Sequence, residues 1–375
     1  MFSKRVYSKF DYVLFLIITV LMSIGVIALM SATQTFATGD MTEVHKQLVW
    51  IIISIIAMML VASIDYETLG SYSFRFYVAI LVMLAAVLFT NPVNGASSWF
   101  DLGFFSFQPS EVAKIVLIVS LAKHINKIVF KDEMGINRLE NIIKVLVHAG
   151  IPILLILKQP DFGTAMVIVA IIFAMVFMAN MRYIYAGIIA ITGILGIGIL
   201  RYLILKGNNL FLDAYQADRI RVFFDPTLDP LGRGYNVLQS KLAIGSGQIT
   251  GMGLFQGTQT QLGNIPAKTT DFIFSVIGEE LGFVFCTIVI VLFVLLLVRC
   301  IHIAMTARDF YGTLIVIGVT AMIGVHVLVN IGMTIGLVPV TGIPLPFISY
   351  GGSSLLTNMM AIGLVMSVAA NRSSK

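Results

Sequence analysis

Three carboxylates, Asp271, Glu279 and Glu280, stand where a polar, glycine-rich stretch runs into a long apolar one. The stretch reads GSGQITGMGLFQGTQTQLGNIPAKTTDFIFSVIGEELG over residues 245–282. Acids at bilayer depth are costly, so they point to function before structure. A carboxylate at the edge of an apolar segment can take a proton from a hydroxyl, and a general base is worth roughly 10²–10⁴-fold in rate. Asp271 is the candidate for that base. The competing reading is architectural: Thr269, Thr270 or Asp271 caps the helix that follows. Glu279 and Glu280 lie about two helical turns deeper. Glu280 is expected to face inward, and internal hydrogen bonding competes with a proton relay for both.

Other charged residues form a second tier. Glu111 and Lys114 are three apart, share a helix face and can pair. That pair either makes a buried charge tolerable or orients a charged substrate. Asp161, in KQPDFG, sits at a turn where it can cap the next helix. Pro339, Pro344 and Pro346, with Gly351 and Gly352, break the backbone before the last apolar run. Such breaks survive at membrane depth only where buried or lining a cavity.

The elements that must position these groups are membrane helices. The chain has 375 residues, of which 58% are hydrophobic and only 11% charged. Mean hydropathy is +0.97. This composition excludes an ordinary soluble domain and predicts an all-α polytopic membrane protein. The net charge of +5 carries no basic stripe with interleaved aromatics, so nucleic acid is not an expected partner. Cys286 and Cys300 lack CxxC spacing, and the five histidines are scattered, so neither a disulfide nor a metal cage is expected.

Apolar runs predict about ten spans, near 12–30, 48–64, 76–90, 109–124, 142–157, 163–180, 183–201, 272–298, 312–337 and 351–370. The first, preceded by Lys4, Arg5 and Lys9, reads as an uncleaved transmembrane helix. Lys and Arg crowd alternate short loops, leaving only Lys46 and Lys158 in the others, which puts both termini inside. A large loop at about 205–271, between the seventh and eighth spans, then lies outside. Its Phe211, Leu212, Tyr215, Phe223, Phe224, Tyr235 and Leu254 can pack it onto the bundle. Residues 235–244 read as an amphipathic helix, and Asp225-Pro226 and Asp229-Pro230 as turns. A second outer patch, 91–111, suits an interfacial or re-entrant element with Trp99 as anchor. The chain reads as one domain, 1–375.

Five blocks carry a resemblance. They are GASSWFDLGFFSFQPSEVAK (95–114), KQPDFGTA (158–165), QSKLAIGSG (239–247), TTDFIFSVIGEELG (269–282) and NIGMTIGLVPVTGIPLPFISYGGSS (330–354). In this order the chain resembles the shape, elongation, division and sporulation (SEDS) family of bacterial membrane proteins, the RodA/FtsW family, over nearly its whole length. GTQTQ (257–261) is similar to the RodA branch rather than the division branch. The chain departs from the family at Thr270, where histidine is usual, and near Lys268, where glutamate is frequent.

The resemblance implies a peptidoglycan glycosyltransferase of the bacterial cytoplasmic membrane. Such an enzyme polymerises lipid II at the outer face for cell elongation and shape. It works with a class B penicillin-binding protein and other membrane proteins of the elongation complex. The family's catalytic aspartate falls on Asp271. Lys114 and Glu111 would meet the substrate, with Trp99 along the sugar or lipid path. Lys46, Arg219, Arg221, Arg233, Lys241 and Lys268 supply outer positive charge for a departing undecaprenyl diphosphate, Lys241 foremost, against the plainer reading of a solvated loop face. Asp161 and Glu280 are secondary candidates. No cofactor is evident, though a divalent cation riding on the diphosphate would need few protein ligands. The rival readings are a lipid II flippase or transporter, a scaffold that only recruits a partner, and a division- or sporulation-specific paralogue.

Overall fold

The computed structural model describes residues 10–34, 40–90, 98–101, 103, 106–205, 219, 221–225, 228–229 and 232–372. Lys4, Arg5, Lys9, Phe211, Leu212, Tyr215 and the side chain of Arg233 lie outside the described residues.

Long apolar runs become helices because hydrocarbon offers the backbone no hydrogen-bond partner except itself. In chain order these are α1 (Tyr12–Thr33), α2 (Thr42–Ser63), the short α3 (Tyr66–Ser71) and α4 (Ser73–Ala86). A small hairpin follows, β1 (Phe100–Asp101) against β2 (Ser106–Phe107), antiparallel, with Phe100 opposite Phe107. The bundle continues through α5 (Pro109–Lys131), α6 (Leu139–Leu157), α7 (Phe162–Met178) and α8 (Tyr183–Leu205). The connection then forms α9 (Arg233–Ser246) and one turn, α10 (Thr258–Gln261). The chain ends with α11 (Ile273–Met305), α12 (Phe310–Thr334) and α13 (Gly352–Ala370).

All ten expected apolar segments are helical. Among the described residues six helices are long and apolar enough to cross a membrane: α1, α2, α6, α11, α12 and α13. The helix from Ser73 to Phe89 and α7 are apolar but shorter. Helix α5 carries Glu111, Lys114, Lys123, Lys127 and Lys131. The expected ten thus included segments that are short or charged, and whose place depends on their neighbours.

α12 and α13 form the centre of the bundle and are mostly buried. α2 and α11 turn broad apolar faces outward, including Ile52, Ile56 and Leu60, and Val291, Val294 and Val298. Exposed apolar faces of this kind fit a lipid solvent. Asp11 at the start of α1 ties α11 in place through Arg299, whose Nη2 is 2.9 Å from its carboxylate.

The connection packs onto α11 through a break in that helix. Gly282 adopts φ +74, a left-handed conformation that favours glycine. The break frees the carbonyls of Glu279 and Glu280, which accept from Met252 N at 2.9 Å and Gly253 N at 3.0 Å. Phe283 N and Val284 N donate back to the carbonyls of Gln248 and Ile249. A Cβ at Gly282 would collide with the backbone of Thr250 and Gly251. The expected amphipathic helix at 235–244 is α9, longer by a few residues. The Asp225 carbonyl accepts from Leu228 N and the Asp229 carbonyl from Gly232 N, while Pro226 and Pro230 of the expected turns lie outside the described residues. In the second patch the described residues form the β1–β2 hairpin beside Trp99, feeding α5, which opens with Pro109 in its first turn.

Candidate active site

Asp271 lies on a turn just before α11, outside the helix. The residue at the helix N-cap is Phe272, and no side chain caps this end. The capping reading of Asp271 therefore fails. Its turn is held by backbone carbonyls: Tyr350 N donates to the Thr269 carbonyl at 2.9 Å and Ser349 Oγ to that of Thr270 at 2.6 Å. Asn330 Nδ2 donates both to the Asp271 carbonyl, at 2.9 Å, and to that of Ile343, at 2.8 Å. The carboxylate stays half-buried, facing the Gly342 side of the broken segment before α13. Burial pushes its pKa up, while the Thr270 hydroxyl and the Arg219 charge pull it down. A half-buried carboxylate with a raised pKa is better matched to a general base than a solvated one.

Glu279 and Glu280 are fully buried. Glu279 accepts from Gln259 N at 2.7 Å, Thr260 N at 2.9 Å and Thr260 Oγ1 at 2.6 Å, so it anchors α10 by its N-terminal amides. Glu280 accepts from Ser31 Oγ at 2.6 Å and Phe255 N at 3.2 Å, joining α1 to the connection. Of the two expectations for this pair, internal hydrogen bonding is what the geometry displays. Lys268 is drawn into the same frame, donating to the Thr260 carbonyl at 2.8 Å.

Lys114 and Glu111 pair at 2.8 Å, both buried. Lys114 Nζ also meets His326 Nε2 at 2.9 Å. His326 Nδ1 lies 2.7 Å from the Met322 carbonyl, which requires a proton on Nδ1. Nε2 then accepts from the ammonium, so a neutral histidine completes the cation's shell. This arrangement supports the ion-pair reading over direct substrate contact, because the ammonium is enclosed by protein groups.

Asp161 caps α7, accepting from Thr164 N at 3.0 Å, and also binds Gln108 Nε2 and Ser110 Oγ. It is a cap, as the turn suggested, and is tied to the start of α5. Lys46 is exposed on α2, away from these contacts. Trp99 is half-buried, its carbonyl 3.4 Å from Thr90 Oγ1. Arg219 and Arg221 are half-buried, and Arg219 Nη1 donates to the Thr341 carbonyl at 3.1 Å. Lys241 on α9 lies against Gly336 at the end of α12.

Sequence reasoning missed His326 and Asn330. Both are fully buried, and with Thr334 they form a polar stripe at four-residue spacing along α12. His326 meets the Lys114 pair and Asn330 the Asp271 turn, while the Thr334 carbonyl accepts from Ser240 Oγ of α9 at 2.7 Å. One helix face thus sets the register of three parts of the site. Polar residues recurring at helical spacing in an apolar run were the available signal.

The chain matches the family described as "Cell cycle protein", which groups FtsW, RodA and SpoVE, over residues 11–374. Stage V sporulation protein E of Bacillus subtilis is 36% identical over 371 residues, covering 96% of each chain. Peptidoglycan glycosyltransferase MrdB of Escherichia coli is 36% identical over 334 residues, 89% of this chain and 87% of the relative. Among solved structures, a peptidoglycan synthase complex, from work on the coordination of polymerization and crosslinking, superposes with TM-score 0.80 at 30% identity. That match covers 97% of this chain and 99% of the other. The chain belongs to the FtsW/RodA/SpoVE family of multi-pass membrane proteins.

Proposed function

We propose that this chain is a peptidoglycan glycosyltransferase that polymerises lipid II at the outer face of the bacterial cytoplasmic membrane, with Asp271 as general base. The observation that carries the reading is the contrast among the three acids at the start of α11. Glu279 and Glu280 are consumed in holding the connection, whereas Asp271 keeps a half-buried carboxylate on a rigidly held turn. Relatives named for this activity support it.

In the reaction Asp271 accepts the proton of the acceptor sugar hydroxyl. The hydroxyl oxygen forms a bond to the anomeric carbon of the donor as the bond to the diphosphate breaks. The electron pair leaves with undecaprenyl diphosphate. A diphosphate is a good leaving group, so one carboxylate suffices where typical glycosidases need two. Among the described residues no three His, Cys, Asp or Glu side chains gather to hold a metal. A divalent ion, where one takes part, rides on the substrate diphosphate. Both termini lie in the cytoplasm and the 205–271 connection outside, following the distribution of Lys and Arg. The partners are a class B penicillin-binding protein transpeptidase and other elongation-complex membrane proteins. The GTQTQ block supports an elongation role.

Purified protein with a class B partner, incubated with lipid II, tests the reading. Glycan strands from wild type and none from a folded, partner-bound Asp271→Asn variant are expected. Equal product from both would remove Asp271 as base. Product from neither, where a control polymerase works, would leave a flippase or a scaffold.

A further inference from the structure

Glu43 stands in the first turn of α2, half-buried, and its Oε2 is buried with no hydrogen-bond partner among the described residues. Gln47, four residues on, shares its helix face. Gln47 Nε2 donates to the Ser349 carbonyl at 3.3 Å, and its Oε1 accepts from Gly351 N at 3.4 Å. That face of α2 therefore looks onto the Ser349–Gly351 junction, with Glu43 one turn nearer the start of the helix. The same junction holds the Asp271 turn, through Tyr350 N on the Thr269 carbonyl and Ser349 Oγ on that of Thr270. α2 and the turn of the proposed base are thus tied to one short stretch of backbone, and Glu43 stands at its edge.

Two further groups feel the Glu43 charge. Burial lowers the pKa of Lys268, and the charges of Glu280, Glu279 and Glu43 oppose that shift. The Tyr350 phenol lies within reach of the same Glu43 charge. Lys268 Nζ is spent on the Thr260 carbonyl at 2.8 Å, so it balances the charge of Glu43 without bonding its buried oxygen. Glu279 makes the contrast plain, with donors from Gln259 N, Thr260 N and Thr260 Oγ1. A buried acceptor without a donor is costly, and the cost is recovered when a donor arrives. Because Lys268 already supplies positive charge, the oxygen calls for a neutral donor rather than a second cation. Like charge disfavours a phosphate here.

We propose that Glu43 is a specificity-determining residue on the acceptor side of the reaction, its buried oxygen accepting a hydrogen bond from a hydroxyl or acetamido N–H of the acceptor sugar and so presenting that sugar to Asp271. The assignment rests on the glycosyltransferase reading above and deepens it. The acceptor sugar must lie against Asp271 to give up its proton, and the junction beside Glu43 is the one that holds the Asp271 turn. Hydrogen bonds to an ionised carboxylate are strong and directional, which suits the orienting of a neutral, many-hydroxyl ligand. The Tyr350 hydroxyl can donate or accept beside it. The amine of a stem peptide is also a donor, and the test separates the two.

The experiment uses the full-length protein with its class B partner in nanodiscs. Lipid II turnover is measured for wild type, Glu43→Ala and Glu43→Gln, with the lipid-free disaccharide of N-acetylglucosamine and N-acetylmuramic acid as competitor, with and without its stem peptide. In Glu43→Ala the inhibition constant of the peptide-free disaccharide should rise about tenfold, the effect of one lost hydrogen bond to a charged group. KM for lipid II should rise with it. Glu43→Gln keeps a neutral acceptor oxygen and should lose less. The unfolding temperature of both variants should stay at or above that of wild type, because the oxygen removed has no partner in the fold. No competition by the disaccharide in wild type, or an unchanged inhibition constant in Glu43→Ala, would overturn the assignment and leave the polymerase reading standing. Competition that requires the stem peptide, and disappears when its amine is acetylated, would make Glu43 an ammonium site and sink the sugar assignment. Wild type that makes no glycan strands where a control polymerase works would overturn both.

Discussion

The turn at 269–272 and the first two turns of α11 are neighbours in sequence, yet they treat their acids in opposite ways. The helix carries Glu279 and Glu280 in full burial, each bound to groups from distant parts of the chain. The turn carries Asp271 at the rim, its backbone pinned by Asn330 and its neighbours by Tyr350 and Ser349. Burial with saturated partners makes an acid part of the frame, because removing it strands its donors. A rigid backbone under a half-buried carboxylate makes an acid available for proton transfer.

The sharpest way to break this contrast is Asp271→Asn. Strand synthesis should fall by about 10²–10⁴-fold while the protein remains folded, read from polymerisation with unfolding followed in parallel. Glu279→Ala should do the reverse. Leaving the amides of Gln259 and Thr260 without their acceptor should cost about 3 kcal/mol or more, seen first as a lower unfolding temperature and reduced yield. A Glu279→Ala protein as stable as wild type would erase the distinction between the two regions.

Smaller effects sharpen it. Asn330 joins the Asp271 carbonyl to that of Ile343, so it sets the separation between the base and the opposite wall. Asn330→Ala should lower kcat about ten- to a hundredfold with little change in KM. The same substitution placed on Asp271→Asn should lower it no further. The smallest expected effect concerns pH. Burial raises the pKa of Asp271, so polymerisation should decline on acidification from above the ordinary aspartate range of about 4. A raised folded-state pKa means that stability contributed by the protonated group is lost as pH rises through that value. At neutral pH the ionised carboxylate therefore costs stability. Asp271→Asn should raise the unfolding temperature by on the order of a degree or two, a difference that disappears at acid pH. An unchanged or lower temperature would argue that the carboxylate contributes to the frame after all.

Much of this was legible in the chain itself. The ten apolar segments, α9 and the singling out of Asp271 follow from local properties: runs of hydrophobic residues, a helical period and an acid beside an apolar stretch. The number of helices able to cross a membrane was less legible, because α4, α7 and α5 are short or charged and depend on packing against neighbours. The roles of Glu279, Glu280 and Lys114 were not separable in the sequence. Each stands in an apolar context that fits either a cavity or a satisfied interior.

The sequence by itself determined an α-helical membrane protein with a polar connection and an acid at its edge, since hydrophobicity and charge placement act along the chain. Tertiary structure alone decided which acids are consumed in internal hydrogen bonds and which keeps a half-buried carboxylate. The partners of Glu280 come from Ser31, those of Asp271's turn from Asn330 and Tyr350, and that of Lys114 from His326. These pairings span large sequence separations. They form only when the helices pack, because a buried polar group is worth keeping only where its partner has been brought to it.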